Sequence, residues 1–241
     1  MGAKKRQVTQ ICILSLILFL FLAAGIYGFY KIEYLKKSVV RDKVGSNNLS
    51  YLYDFYISGK PNIEETHYYG SPKADIFVIA YLDPTSESSR YFMSSVFPKL
   101  DNESIKSGKI KFYSKNYLTQ EDFDAKNSLF TLSASLICIK SINRQKYYPF
   151  YFDIFEANPD VKSLLQKHKI PLKEFNNCMQ AGNFADLTET VSEVESFGMI
   201  GMAPRFYVGI EGSNDIVVIE GAREYDKFKK AIREYGFIKG D

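Results

Sequence analysis

Few side chains in this 241-residue chain are suited to covalent chemistry. It carries three cysteines, Cys12, Cys138 and Cys178, and two histidines, His67 and His168. No C-x-x-C pair, HExxH helix or EF-hand loop occurs, and no glycine-rich loop is spaced to cradle phosphate. No metal and no cofactor are therefore expected. The remaining candidates are hydroxyls, in the polar cluster Asp83-Pro-Thr-Ser-Glu-Ser-Ser89. Ser86 and Ser89 would need a base to become nucleophiles, and no G-x-S-x-G elbow surrounds Ser86. The plainer reading is a solvated, helix-capping turn, for which this composition is typical.

The neighbouring elements would position that cluster. Ile76-Phe-Val-Ile-Ala-Tyr-Leu82 is a continuous apolar run that predicts a strand buried on both faces. Asp83 is a good N-cap and Pro84 suits the first helical position, so a helix is expected to start there. Tyr91, Phe92, Val96 and Leu100 give it an apolar stripe. The strand would thus end in a polar turn that aims helix N–H groups above the sheet.

Tyr69-Gly-Ser-Pro-Lys-Ala-Asp75, the apolar strand, Asp83 and a helix ending Phe97-Pro-Lys-Leu100 together resemble the DsbA-like branch of the thioredoxin fold. The family pattern is D-x-x-C-x-x-C after the strand, and counting from Asp83 puts the two cysteine positions on Ser86 and Ser89. Hydroxyls cannot replace thiolates in disulfide exchange. Phe197-Gly-Met-Ile-Gly-Met-Ala-Pro-Arg-Phe-Tyr-Val-Gly209 resembles the family's G-V-x-G-T-P-x-F-x-V-x-G. The resemblance implies a cis Pro204 that turns the Ala203 backbone towards the first helix, leaving an edge for an extended peptide. Ser86, Glu87, Ser88, Ser89, Ala203, Pro204 and Arg205 would then line a peptide groove, with Arg205 reading a carboxylate or pairing with Glu87. DsbA-like proteins often carry a cysteine in each of the tracts holding Cys138 and Cys178, the latter within Phe175-Asn-Asn-Cys-Met-Gln-Ala-Gly182. A structural disulfide and two buried thiols are both open for this pair.

Along the rest of the chain, Gly108 to Tyr113 alternates as a half-exposed strand should. Helical spacing covers Asp122 to Ile142, Tyr147 to Phe155, Val161 to His168, a turn from Ile170, and Ala185 to Phe197, matching the family's helical insertion (about 119–197). Asp215 to Glu220 reads as a last strand, and Tyr225, Phe228, Ile232 and Tyr235 line a closing amphipathic helix. The two histidines read as solvated or capping residues. The expected fold is α/β, thioredoxin-like with a helical insertion, in a domain spanning 67–241. It follows a tail and transmembrane anchor (1–30) and a stem (31–66).

The anchor rests on Gln7 to Tyr30, uncharged and long enough to cross a hydrocarbon core of about 30 Å as one helix. Cys12 falls inside this run as an apolar filler. Lys4, Lys5 and Arg6 precede the run but Lys31, Lys36, Lys37, Arg41 and Lys43 follow it, which by itself favours a cytoplasmic domain. The resemblance implies the extracytoplasmic side. With 31 basic against 28 acidic side chains the formal charge is +3, too mild to indicate nucleic acid. The expected function is a membrane-anchored, redox-inactive module that binds an extended peptide or partner envelope protein, in the manner of a chaperone. The alternatives are a kappa glutathione transferase type of enzyme, using Ser86 to hold a bound thiolate, and a disulfide oxidoreductase family member acting with partner cysteines.

Overall fold

The computed structural model describes residues 61–63, 67–156, 160–213 and 216–238. The apolar run 7–30 and most of the stem lie outside the described residues, and so does the expected membrane span. Among the described residues no helix is long and apolar enough to cross a membrane.

Five strands form one sheet in the order β1-β3-β2-β4-β5: β1 (Tyr68–Gly70), β2 (Ile76–Leu82), β3 (Ile110–Asn116), β4 (Arg205–Ile210) and β5 (Ile216–Glu220). β2 runs parallel to β3 and antiparallel to β4. Helix α1 (87–105) joins β2 to β3, and α8 (Tyr225–Ile238) follows β5. Between β3 and β4 stands a helical insertion of α2 (Gln120–Ala125), α3 (Ser128–Ile142), α4 (Tyr147–Asp153), α5 (Val161–Lys167), α6 (Leu172–Ala181) and α7 (Ala185–Ser196).

Every residue of β2 is buried, as its unbroken apolar run requires. One face sends Val78, Ala80 and Leu82 against Phe92, Phe97 and Leu100 of α1 and Phe228 of α8. The other sends Phe77, Ile79 and Tyr81 against Val194 of α7 and Met199. β3 departs from the sequence expectation. It extends to Asn116 and is buried throughout, Lys111 and Lys115 included, because the insertion covers it and both lysines find carboxylates. Its alternation is therefore not a solvent-facing pattern.

α1 contains two wide turns, at Phe92–Val96 and Asp101–Ile105. Pro98 accounts for the first. It has no N–H to offer the Ser94 carbonyl and its ring crowds that group, so Phe97 N–H reaches back five residues to Phe92. The single helix expected over 122–142 is two helices, because Lys126 takes a left-handed conformation and Asn127 caps the second. The Asn127 side chain accepts from Phe130 N–H at 3.0 Å, ending one helix and opening the next.

Cys138 in α3 and Cys178 in α6 form a disulfide spanning 40 residues. It closes the insertion on itself, resolving in favour of the bond a question that residue types had left open. Reduction, or paired Cys138→Ser and Cys178→Ser replacement, is expected to lower unfolding free energy by about 2–4 kcal/mol, read by denaturant melts. Phe92, fully buried against Phe206 and Phe228, is expected to cost about 3–5 kcal/mol when cut to alanine. A loss below 1 kcal/mol in either experiment would contradict these contacts.

Candidate functional site

The site is built where β2 ends. β2 and β3 end level, Leu82 opposite Asn116, and Tyr117 N–H bonds the Leu82 carbonyl at 2.9 Å. The chain then turns before helix α1 begins. Asp83 does not cap the helix as expected. Its carboxylate accepts from the Thr85 N–H at 2.7 Å and from Thr85 Oγ1 at 2.6 Å, and its carbonyl accepts from Ser86 N–H at 3.0 Å. A side chain that bonds two residues ahead makes a turn, not a cap. The N-cap is Ser86, three residues later, whose Oγ accepts from Ser89 N–H at 3.4 Å. Arg90 then reaches back to the Pro84 and Thr85 carbonyls at 3.1 and 2.7 Å, closing the turn onto the helix.

The two serines have different surroundings. Ser89 is fully buried, its Oγ accepting from Asp83 N–H at 3.2 Å. Ser86 is half-buried at the helix mouth, with Glu87 and Ser88 exposed beside it. First-turn N–H groups there have no intrahelical acceptor and carry the positive end of the helix dipole.

The facing wall is the Ala203–Pro204 peptide, which is cis. β2–β4 pairing sets Tyr81 opposite Arg205, and carrying that register two places further brings Ala203 level with Asp83. The Pro204 carbonyl is taken by Gly221 N–H at 2.9 Å, whereas Ala203 makes no main-chain hydrogen bond among the described residues. The loop leading to it is held from beneath. Tyr117 Oη donates to the Met199 carbonyl at 3.0 Å and accepts from Gly201 N–H at 2.5 Å. The buried Met199 sulfur accepts from Tyr207 Oη at 3.2 Å. So fixed, the loop presents Ile200 and Met202 to solvent, 63% and 43% exposed, as an apolar rim.

Arg205 belongs to the wall but not to its surface. It is 4% exposed, pairs with Glu220 across β4–β5 at 3.1 Å, lies over the Tyr207 ring, and has its Nη1 3.6 Å from the Met202 sulfur. Within the protein its carboxylate partner is Glu220, not Glu87. Strand register decides this, because Arg205 and Glu220 stand directly opposite one another.

Beneath the turn lies an ionic cluster with no local sequence signal. Glu193 of α7 accepts from Tyr81 Oη at 2.6 Å, from Lys115 Nζ at 2.5 Å and from the main-chain N–H of Asn62 at 2.9 Å. Burial, and then the Glu193 carboxylate, push the Tyr81 hydroxyl far above its ordinary pKa, so it stays protonated and donates. Lys115 and Glu193 are 78 residues apart, which is why residue spacing missed them. His67 accepts from Arg144 Nε at 3.1 Å and His168 pairs with Asp153 at 2.6 Å. Among the described residues no cluster of side chains suited to a metal occurs.

A sheet with this order, a helical insertion between β3 and β4, and a helix N-cap facing a cis-proline loop define a thioredoxin-type fold of the DsbA-like kind. Residues 62–234 match the thioredoxin family model, and the chain belongs to that family. It is 26% identical over 189 residues to Disulfide bond formation protein D of Bacillus subtilis (strain 168), covering 74% of this chain and 80% of the relative. Among solved structures, oxidised BdbD from Bacillus subtilis superposes with a TM-score of 0.60 at 21% identity, over 76% of this chain and 98% of that one. Wolbachia pipientis alpha-DsbA1 gives 0.56 at 18% identity, over 75% and 96%. Chlamydia trachomatis DsbA gives 0.59 at 15%, over 77% and 99%.

These relatives overturn the expectation of a redox-inactive binding or chaperone-like module. The curated relative is a disulfide bond formation protein, which points to the thiol–disulfide oxidoreductases. Two sulfurs of the family pattern are missing, at positions 86 and 89. Their loss removes the chain's own nucleophile at this position and leaves the N-cap hydroxyl, the helix mouth and the cis-proline wall in place.

The buried cluster yields a direct expectation. Lys115→Met leaves the Glu193 charge buried beside Tyr81 and should destabilise the fold by about 3–5 kcal/mol. Adding Glu193→Gln removes the orphaned charge and should recover more than half of that loss in urea melts. Additive losses would show that the two side chains do not act as a pair.

Proposed function

We propose that this chain works in thiol–disulfide exchange on cysteines that a partner brings to the groove, not on a cysteine pair of its own. The observation that carries the reading is Ser86, an N-cap hydroxyl at the mouth of α1, set across from the cis Ala203–Pro204 peptide. An extended partner segment would pair with the unoccupied Ala203 main chain, its apolar side chains against Ile200 and Met202. That places a partner sulfur near the first-turn N–H groups. One partner thiolate attacks one sulfur of a partner disulfide, a new S–S bond forms, and the displaced sulfur leaves as thiolate. One thiolate enters and one leaves, so no external oxidant is consumed. Ser86 Oγ–H and the helix dipole lower the energy of whichever sulfur carries the charge. Kinship with a disulfide bond formation protein supports this reading.

The domain would act outside the cytoplasm, where the Cys138–Cys178 disulfide persists. A periplasmic thioredoxin-like protein from Salmonella enterica serovar Typhimurium is among the structural neighbours. Residues 7–30, by their apolar length, would tether it to the membrane.

The test is the rate at which a scrambled, multiply disulfide-bonded client regains its native pairing in a glutathione buffer. The chain should accelerate it, and Ser86→Ala should lower that acceleration by about tenfold or more. Paired Cys138→Ser and Cys178→Ser replacement, once shown to be folded by circular dichroism, should leave the rate unchanged. Ser86→Cys with Ser89→Cys should add a glutathione-independent oxidase burst. No acceleration by the wild-type chain, or an undiminished one in Ser86→Ala, would overturn the reading.

A further inference from the structure

The loop entering β4 carries two methionines three residues apart, in opposite surroundings. Met199 is fully buried, and its sulfur accepts from Tyr207 Oη at 3.2 Å. Met202 is 43% exposed, and its N–H bonds the Met199 carbonyl at 2.9 Å. Its sulfur lies 3.6 Å from Nη1 of Arg205. Solvent thus reaches this side chain from one side while a buried cation stands behind it.

That cation is short of acceptors. Arg205 is 4% exposed and brings five N–H donors to the interior. Among the described residues its Nε–H has no hydrogen-bond partner. The Glu220 oxygen 3.1 Å from Nη2 makes an ionic contact without hydrogen-bond alignment. The acceptor that this guanidinium does find is the Met202 thioether, a weak one. Buried donors are seldom served so poorly. An oxygen placed on that sulfur would supply what is missing.

We infer that Met202 is a site of modification by hydrogen peroxide, its sulfoxide held by the Arg205 guanidinium. A sulfur lone pair attacks one peroxide oxygen, and the S–O bond forms as the O–O bond breaks. The transferred oxygen gives its proton to the leaving hydroxide, which departs as water. Sulfur gives up two electrons and peroxide takes two, so nothing else is consumed. Methionine sulfoxide reductases undo the step. The flexible methionine side chain lets the new oxygen turn to Nη1, exchanging a thioether contact for a charge-assisted hydrogen bond. That fastens the 199–204 loop to β4. The site does not depend on thiol exchange; on the function proposed above, it would also leave Ile200 as the one apolar side chain of the rim.

The full-length chain is treated with limiting hydrogen peroxide and its peptides are mapped by mass spectrometry. Met202 should oxidise first, about tenfold faster than the buried Met93 and Met199. The chain oxidised at Met202 should then unfold in urea with an equilibrium constant about tenfold lower, the worth of one hydrogen bond to a charged group. Met202→Leu should show no such gain under the same treatment. Met202→Gln, whose carbonyl oxygen stands in for that of the sulfoxide, should exceed Met202→Leu by a similar factor without peroxide. Replacing both members of the charged pair, Arg205→Gln with Glu220→Gln, should abolish the gain on oxidation. If that double variant does not fold, the comparison of Met202→Gln with Met202→Leu decides. Oxidation of Met93 or Met199 as fast as Met202 would overturn the site. So would an oxidised chain no more stable than the reduced one, a Met202→Gln chain no more stable than Met202→Leu, or a gain that persists without Arg205. No client enters these measurements, so their failure leaves the thiol-exchange reading untouched.

Discussion

Antiparallel pairing of β2 with β4 is the constraint on which this molecule depends. The two strands meet the site from opposite directions, one ending where the other begins, so one register sets the Ser86 turn across from Ala203–Pro204. A slip of one residue would turn Tyr81, Tyr207 and Arg205 to the opposite face and exchange the two cores. Burial forbids that. Phe77 stands opposite Gly209, where a Cβ would meet its ring at 2.6 Å, so only this register gives the ring its space.

The insertion does more than cover the sheet. Through α7 it delivers Glu193 to Lys115 and Tyr81, and its last turn leads into the loop that Tyr117 holds. The disulfide ties α3 to α6, and thereby steadies the helices that pack on β3. The buried ion cluster and the cis-proline loop therefore share this stretch as common support, through Lys115 and Tyr117.

Replacing thiols by hydroxyls at Ser86 and Ser89 alters the chemistry without disturbing the local architecture. Serine is as good an N-cap as any residue and small enough to be buried at Ser89, where its Oγ closes a bond to Asp83 N–H. The helix mouth stays preorganised for an anion. On the proposed function, the anion held there would come from a partner. Arg205 makes a related point. A buried arginine next to the cis-proline loop is engaged by Glu220 and Tyr207 and so supports the wall.

Much of this was legible in residue order alone. The unbroken apolar run 76–82, the serines counted from Asp83 and the tract from Phe197 to Gly209 carried the fold class, the place of Ser86 at the start of α1 and the proline loop, because each is a local pattern read over about a dozen residues. Helix edges were legible only roughly: whether Asp83 or Ser86 caps α1 depends on which N–H a short side chain finds first, and both are good caps. Tertiary structure alone decided the rest. The Lys115–Glu193 pair, the Tyr117 clamp, the partner of Arg205 and the burial of β3 join residues far apart in sequence. Such meetings follow from strand register and helix packing, to which no short stretch of the chain has access.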